Sequence, residues 1–235
     1  MGLFDILRPG DVRATRSALD EANAPDGTDD AITVVIKRIL SVGIDGVRGY
    51  PGAVRVAEKA LAASGGNVER AIGSVINQHY RGAGTTGFLT SLGGFFTMAV
   101  AVPVNVFAFY VQATRMTAAI AHLRGYDIAD PTIRTAVLLA EVGSNASDIL
   151  RNVGVGPSLG TTAALTVAGP ALPRSAIMVI QKAVGFQLLR SVGRRAFVGA
   201  GRFVPVAGGA FGAGIDLAMM KRIADQARIE FPPAH

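Results

Sequence analysis

The chain has 235 residues, half of them hydrophobic and only 17% charged, with a formal net charge of +6. That length can bury a substantial core, in one large domain or in a small module plus a larger one. The absence of cysteine excludes disulfides, thiolate nucleophiles and cysteine-ligated zinc together.

In chain order, Leu3, Phe4, Ile6 and Leu7 make a short apolar tip next to Arg8. Such a tip suits a lipid headgroup layer or docking on its own domain. The first fifteen residues contain Asp5, Arg8, Asp11 and Arg13 and no apolar run, so no secretory signal is expected. Asp11 can cap a helix to about Asn23, and Ala24–Asp30 reads as a loop. Asp30 opens a predicted helix through about Asp45, with Ile32, Val35, Ile36, Ile39 and Leu40 at helical spacing. Gly46–Gly52 is a break, with Pro51 as the first-turn proline of a helix over Val54–Ala63. Ser64-Gly65-Gly66 closes that helix, and Asn67 caps the next, which turns Ile72, Val75 and Ile76 inward and ends near Tyr80.

From Gly82 to Thr114 there is no charged side chain, between Arg81 and Arg115. The glycine-rich start of this stretch lacks a Gly-Lys-Ser/Thr ending and a preceding strand, which argues against a phosphate loop. Pro103 divides the stretch. Before it, Gly93, Thr97 and Ala101 form a small-residue stripe that lets a helix approach closely. After it, Val104–Leu123 reads as one long helix carrying Asn105, Ala108, Gln112, Arg115, Ala119 and His122 in a single arc. In a spanning helix Asn105, Gln112 and Arg115 would have to face protein or water, which favours a buried hairpin over a span.

Gly125-Tyr126-Asp127 stops this helix. Asp130 caps the next, Pro131 occupies its first turn, and Ile133, Val137, Leu138 and Val142 give it an inner face. Asn152–Pro173 reads as a loop with one short helix, and Arg174–Val198 as a long helix with an apolar line through Ile177, Val184, Leu188 and Val192. The last helix, Val206–Ile229, begins with Gly208, Gly212 and Asp216 in one row, and Pro232-Pro233 ends it.

Charge is unevenly placed along these elements. Residues 1–80 carry nine basic and ten acidic side chains, the remainder fourteen and seven. No Asp or Glu falls between Asp148 and Asp216, whereas Arg151, Arg174, Lys182, Arg190, Arg194, Arg195 and Arg202 all do. A local cationic field beside apolar sequence suits an anionic membrane surface better than DNA. The basic residues lack interleaved aromatics, and no helix-turn-helix or zinc pattern occurs, so no nucleic-acid partner is expected.

Gly125-Tyr126-Asp127 followed by Asp130-Pro131-Thr132-Ile133-Arg134 resembles the Gly-Tyr-Asp…Pro…Arg signature of the EcsC family. The run Pro205–Gly214 followed by Asp216 is similar to that family's glycine-rich terminal helix, and the likeness covers roughly Thr33 to Phe231. It implies a helical bacterial protein, cytoplasmic or membrane-associated, from a family named for a gene beside an ABC-transporter operon. The chain departs from the family at Val104-Asn105, where an acidic residue often stands two positions after the central Pro.

The chemistry of a metal or catalytic site is not evident. His79, His122 and His235 are scattered without a partner one helical turn away, so no metal and no cofactor are expected. No nucleophile elbow and no acid–base pair stands out, so no catalytic residue is assigned. Asp127 reads as a turn residue or cap. Asp216 could pair with Arg134 or Arg115, or line a polar pocket with Asn105, Gln112, Arg115, Tyr126, Asp127 and Arg134.

The expected fold is all-α, a compact multi-helix bundle with a buried apolar, glycine-rich helical core. Residues 1–28 would be an amphipathic segment and linker, 29–81 a small-helix cap and 82–235 the core. The expected function is non-enzymatic association with anionic lipid, or with a membrane complex such as a transporter, at the cytoplasmic face of the cell membrane. Leu3, Phe4, Leu7, Arg8, Arg190, Arg194, Arg195 and Arg202 would make the contact, while Gly93, Thr97, Ala101, Gly208 and Gly212 would pack helices. One rival is an integral protein inserting Phe88–Val102 and Val206–Ile223. The other is an enzyme or carrier for a hydrophobic small molecule, with a pocket among the Gly93, Gln112, Tyr126 and Asp216 regions.

Overall fold

A computed structural model describes residues 28–82, 104–143, 145–152, 154, 165, 174–200 and 205–234. The expectations at Leu3, Phe4, Leu7, Arg8, Gly93, Thr97, Ala101 and Arg202 lie outside these residues. Those at Asn105, Arg190, Arg194, Arg195, Gly208 and Gly212 fall on helical backbone whose side chains are not described.

The described chain contains eight α-helices: α1 (Thr28–Leu40), α2 (Ala53–Ala63), α3 (Val68–Gly82), α4 (Val104–Leu123), α5 (Pro131–Val142), α6 (Asn145–Asn152), α7 (Arg174–Ala200) and α8 (Pro205–Glu230). A π-helical turn (Ser41–Asp45) extends α1, and a small antiparallel hairpin of β1 (Gly46–Val47) and β2 (Tyr50–Pro51) follows it. The fold is therefore an all-α multi-helix bundle.

Local chemistry explains most boundaries. Asn67 Oδ1 accepts the backbone N–H of Arg70 at 2.9 Å, and Asp130 Oδ1 that of Thr132 at 2.7 Å. Each satisfies a donor that the first helical turn leaves free. Pro131 stands at the start of α5, where its missing N–H costs nothing.

The segment expected to be a plain break is built differently. Gly46 has φ 80°, and a Cβ there would collide with the backbone of Gly52. That conformation turns the chain back so that Gly46 pairs with Pro51 and Val47 with Tyr50. Pro51 therefore lies in β2 and not in a first helical turn; Gly52 precedes α2 as its cap residue. Proline is tolerated because a two-stranded ribbon leaves every strand at an edge.

The helix α4 is the centre of the bundle, touching α1, the π-turn, α2, α3, α5 and α8. It is apolar nearly all round, as a helix surrounded by others should be. Met116, Ile120 and Ala113 are fully enclosed, and burying each large side chain contributes about 1.5–3 kcal/mol. One continuous hydrophobic cluster joins Val35 in α1 to Phe231 just after α8. The arc of α4 that holds Ala108, Gln112, Arg115 and Ala119 faces protein, with Gln112 and both alanines buried. Among the described residues, no helix is long and apolar enough to cross a membrane.

Candidate functional site

Two helices brace the π-turn and the hairpin that follows it. Arg134 on α5 binds the carboxylate of Asp45 through both Nη atoms, with Nη1 at 3.1 Å from Oδ2, and its Nε donates to Ile128 O at 3.1 Å. A guanidinium holding a carboxylate through two bonds constrains orientation as well as distance. Arg115 on α4 stacks its guanidinium 4.0 Å from the centroid of the Tyr50 ring and points Nη1 at Pro51 O, 3.5 Å away.

Arg115 also organises a buried polar chain. Its Nε donates to His79 Nε2 at 3.1 Å, while His79 Nδ1 lies 2.7 Å from Val75 O. A carbonyl only accepts, so the proton is on Nδ1 and Nε2 is the acceptor. Burial, helped by the charge of Arg115, pushes the His79 ring down to about 4, so it stays neutral. Burial lowers the affinity of Arg115 itself for its proton, and burial raises that of the Tyr50 phenol. Among the described residues, the partners of Arg115 are an imidazole, a carbonyl and a ring, none of them an anion.

A second buried group sits between α4 and α5. Thr114 Oγ1 donates to Glu141 Oε1 at 2.6 Å, and Glu141 Oε2 has no partner among the described residues. Burial drives this carboxyl up to about 8 against the opposing hydrogen bond. Gly43 of the π-turn packs on the same threonine: a Cβ at Gly43 would lie 2.9 Å from Thr114 Cβ. The absence of that atom is what lets the π-turn bury Val42, Gly43 and Ile44 against α4.

Beside the hairpin is an open cleft of about 970 Å³. Tyr50, Pro51, Arg55, Lys59, Ile128 and Arg134 are among the residues that line it.

The residues expected to share a polar pocket are dispersed. Arg115 and Arg134 converge on segment 45–51, but only Arg134 lines the cleft. Gln112 is buried in the bundle. Tyr126 packs edge-on against Phe231, with ring centroids 5.3 Å apart. Asp127 accepts from the backbone of Ala129 as a turn residue. Asp216, half-buried on α8, pairs with neither Arg134 nor Arg115, whose partners are those already named. Sequence reading missed His79 and Glu141 as interior polar groups. Both stand in apolar rows, His79 after Ile72, Val75 and Ile76, and Glu141 after Ile133 and Val137. A titratable residue continuing an inward row at helical spacing was the available signal.

Among the described residues, no group of three or more His, Asp or Glu side chains is placed to hold a metal. Fold and site together define a helical bundle with a braced hairpin cleft and two buried polar contacts, Arg115–His79 and Thr114–Glu141. No family model, curated protein or solved structure matches the chain.

Proposed function

We propose that this is a non-enzymatic helical protein that associates with an anionic lipid surface at the cytoplasmic face of the cell membrane. One observation carries the reading. The helix α7 runs for 27 residues and bears Arg174, Lys182, Arg190, Arg194 and Arg195 with no acidic residue. Basic side chains close to an anionic leaflet contribute about 1 kcal/mol each, so several together support reversible binding. Met178 on the same helix is 49% exposed, one turn before Lys182, and offers an apolar contact beside the charge. The resemblance of Gly125–Arg134 and Pro205–Asp216 to the EcsC family supports the same assignment.

Flotation of the full chain with phosphatidylcholine vesicles, with and without phosphatidylglycerol, tests it. Binding is expected only with the anionic lipid, is expected to weaken with salt, and should be lost in R190Q/R194Q/R195Q. Absence of binding to anionic vesicles at low salt overturns the reading. Binding confined to native membranes and abolished by protease treatment of those membranes would assign the contact to a membrane complex, such as a transporter.

A further inference from the structure

The hairpin cleft has an electrostatic character that its packing does not require. Arg55 and Lys59 stand one turn apart on α2, both exposed, both lining the cleft, and neither in an ion pair among the described residues. Like charges at this spacing repel each other. Glu58 lines the same wall, and the cleft's other carboxylate, Asp45, is held by Arg134. Behind Tyr50 and Pro51, the guanidinium of Arg115 carries a positive charge whose partners among the described residues are all uncharged. A partly buried charge without a counterion projects its field more strongly than one in water.

We propose that the cleft binds a phosphate-bearing anion, with its phosphoryl oxygens on Arg55 and Lys59. Arg115 supplies attraction from behind the floor, and Val47, Val54 and Ile128 offer apolar contact to the organic part. A cleft of about 970 Å³ has room for a phosphate monoester. A soluble ester and a lipid phosphate headgroup share this chemistry. The site involves α2 and the hairpin and is independent of α7.

The test is calorimetric titration of the full chain with glycerol 3-phosphate at matched chloride ionic strength, alongside vesicles containing phosphatidic acid. Saturable binding is expected, about tenfold or more weaker in R55Q/K59Q. Both positions are exposed, and thermal melting checks that the variant remains folded. E58Q should tighten binding, because it removes a carboxylate from the wall. R190Q/R194Q/R195Q should leave glycerol 3-phosphate binding unchanged, which separates failure of this site from failure of the α7 surface. Soluble ester binding that depends on Arg55 and Lys59 supports the proposal with a soluble source. Binding of phosphatidic acid vesicles alone, with the same dependence, supports it with a headgroup source. Absence of saturable binding to either probe, or equal binding by R55Q/K59Q and the unaltered protein, overturns it.

Discussion

Arg115 Nε donates to His79 Nε2 across 3.1 Å, joining α4 to α3 through a contact between residues thirty-six positions apart. The bond turns a neutral ring into the acceptor for a mostly buried cation and places the guanidinium over Tyr50. Removing either partner leaves a polar group without its mate. Arg115→Ala and His79→Ala should each lower unfolding free energy in urea by about 1–3 kcal/mol. The double variant should lose less than the sum, by about 1 kcal/mol. Strict additivity would show that the two side chains act separately.

Stability should depend on pH in two opposed ways. The Glu141 carboxyl rises from 4.5 to about 8 on folding, so between those values the folded protein keeps a proton that the unfolded chain releases. Its contribution is complete below pH 4.5 and is lost as pH rises through about 8. The His79 ring falls from 6.5 to about 4, so the unfolded chain takes up a proton that the folded ring refuses. That contribution is complete above pH 6.5 and is lost as pH falls through about 4. Glu141→Gln should therefore remove a decline in urea midpoint between pH 6.5 and 8, whereas His79→Gln should flatten the acid side. Parallel pH profiles for Glu141→Gln and the unaltered protein would contradict the assignment of Glu141.

Two glycines predict opposite outcomes for one substitution. At Gly43 a methyl group would lie 2.9 Å from Thr114 Cβ and 3.0 Å from Val111 O, and α4 cannot yield without moving the core. Gly43→Ala should cost about 1–3 kcal/mol. Gly73, within α3, has no described residue within 4 Å of where a Cβ would stand, so Gly73→Ala should stabilise by about 0.5–1 kcal/mol. Thermal melting of the two variants measures both signs.

The two aspartates near the α4–α5 corner should differ. Asp130 caps α5 through the N–H of Thr132, and Asp130→Ala should cost about 1 kcal/mol. Among the described residues the Asp127 side chain bonds only the nearby Ala129 N–H in an exposed turn, and Asp127→Ala should cost a few tenths of that. Equal losses in chemical denaturation would mean that Asp127 does more than shape the turn.

Local signals settled much of the secondary structure in advance. The helix Val104–Leu123 begins and ends as its flanking Pro103 and Gly125 suggest, and Asn67 and Asp130 serve as the caps their chemistry favours. Apolar spacing also placed Ile72, Val75, Ile133 and Val137 inside. These features depend on residues within one or two turns of each other, so the linear order of side chains is sufficient to specify them.

Tertiary structure alone chose the partners of the polar groups. Arg134, which spacing alone left open as one of several partners for Asp216, holds Asp45, eighty-nine positions away. The π-turn depends on how closely Gly43 allows Thr114 and Val111 of α4 to approach. His79 and Glu141 are perturbed by burial that helices from elsewhere in the chain impose. Spacing along a helix says which face a residue occupies, but the medium and partner it meets there are set by the segments that fold against that face.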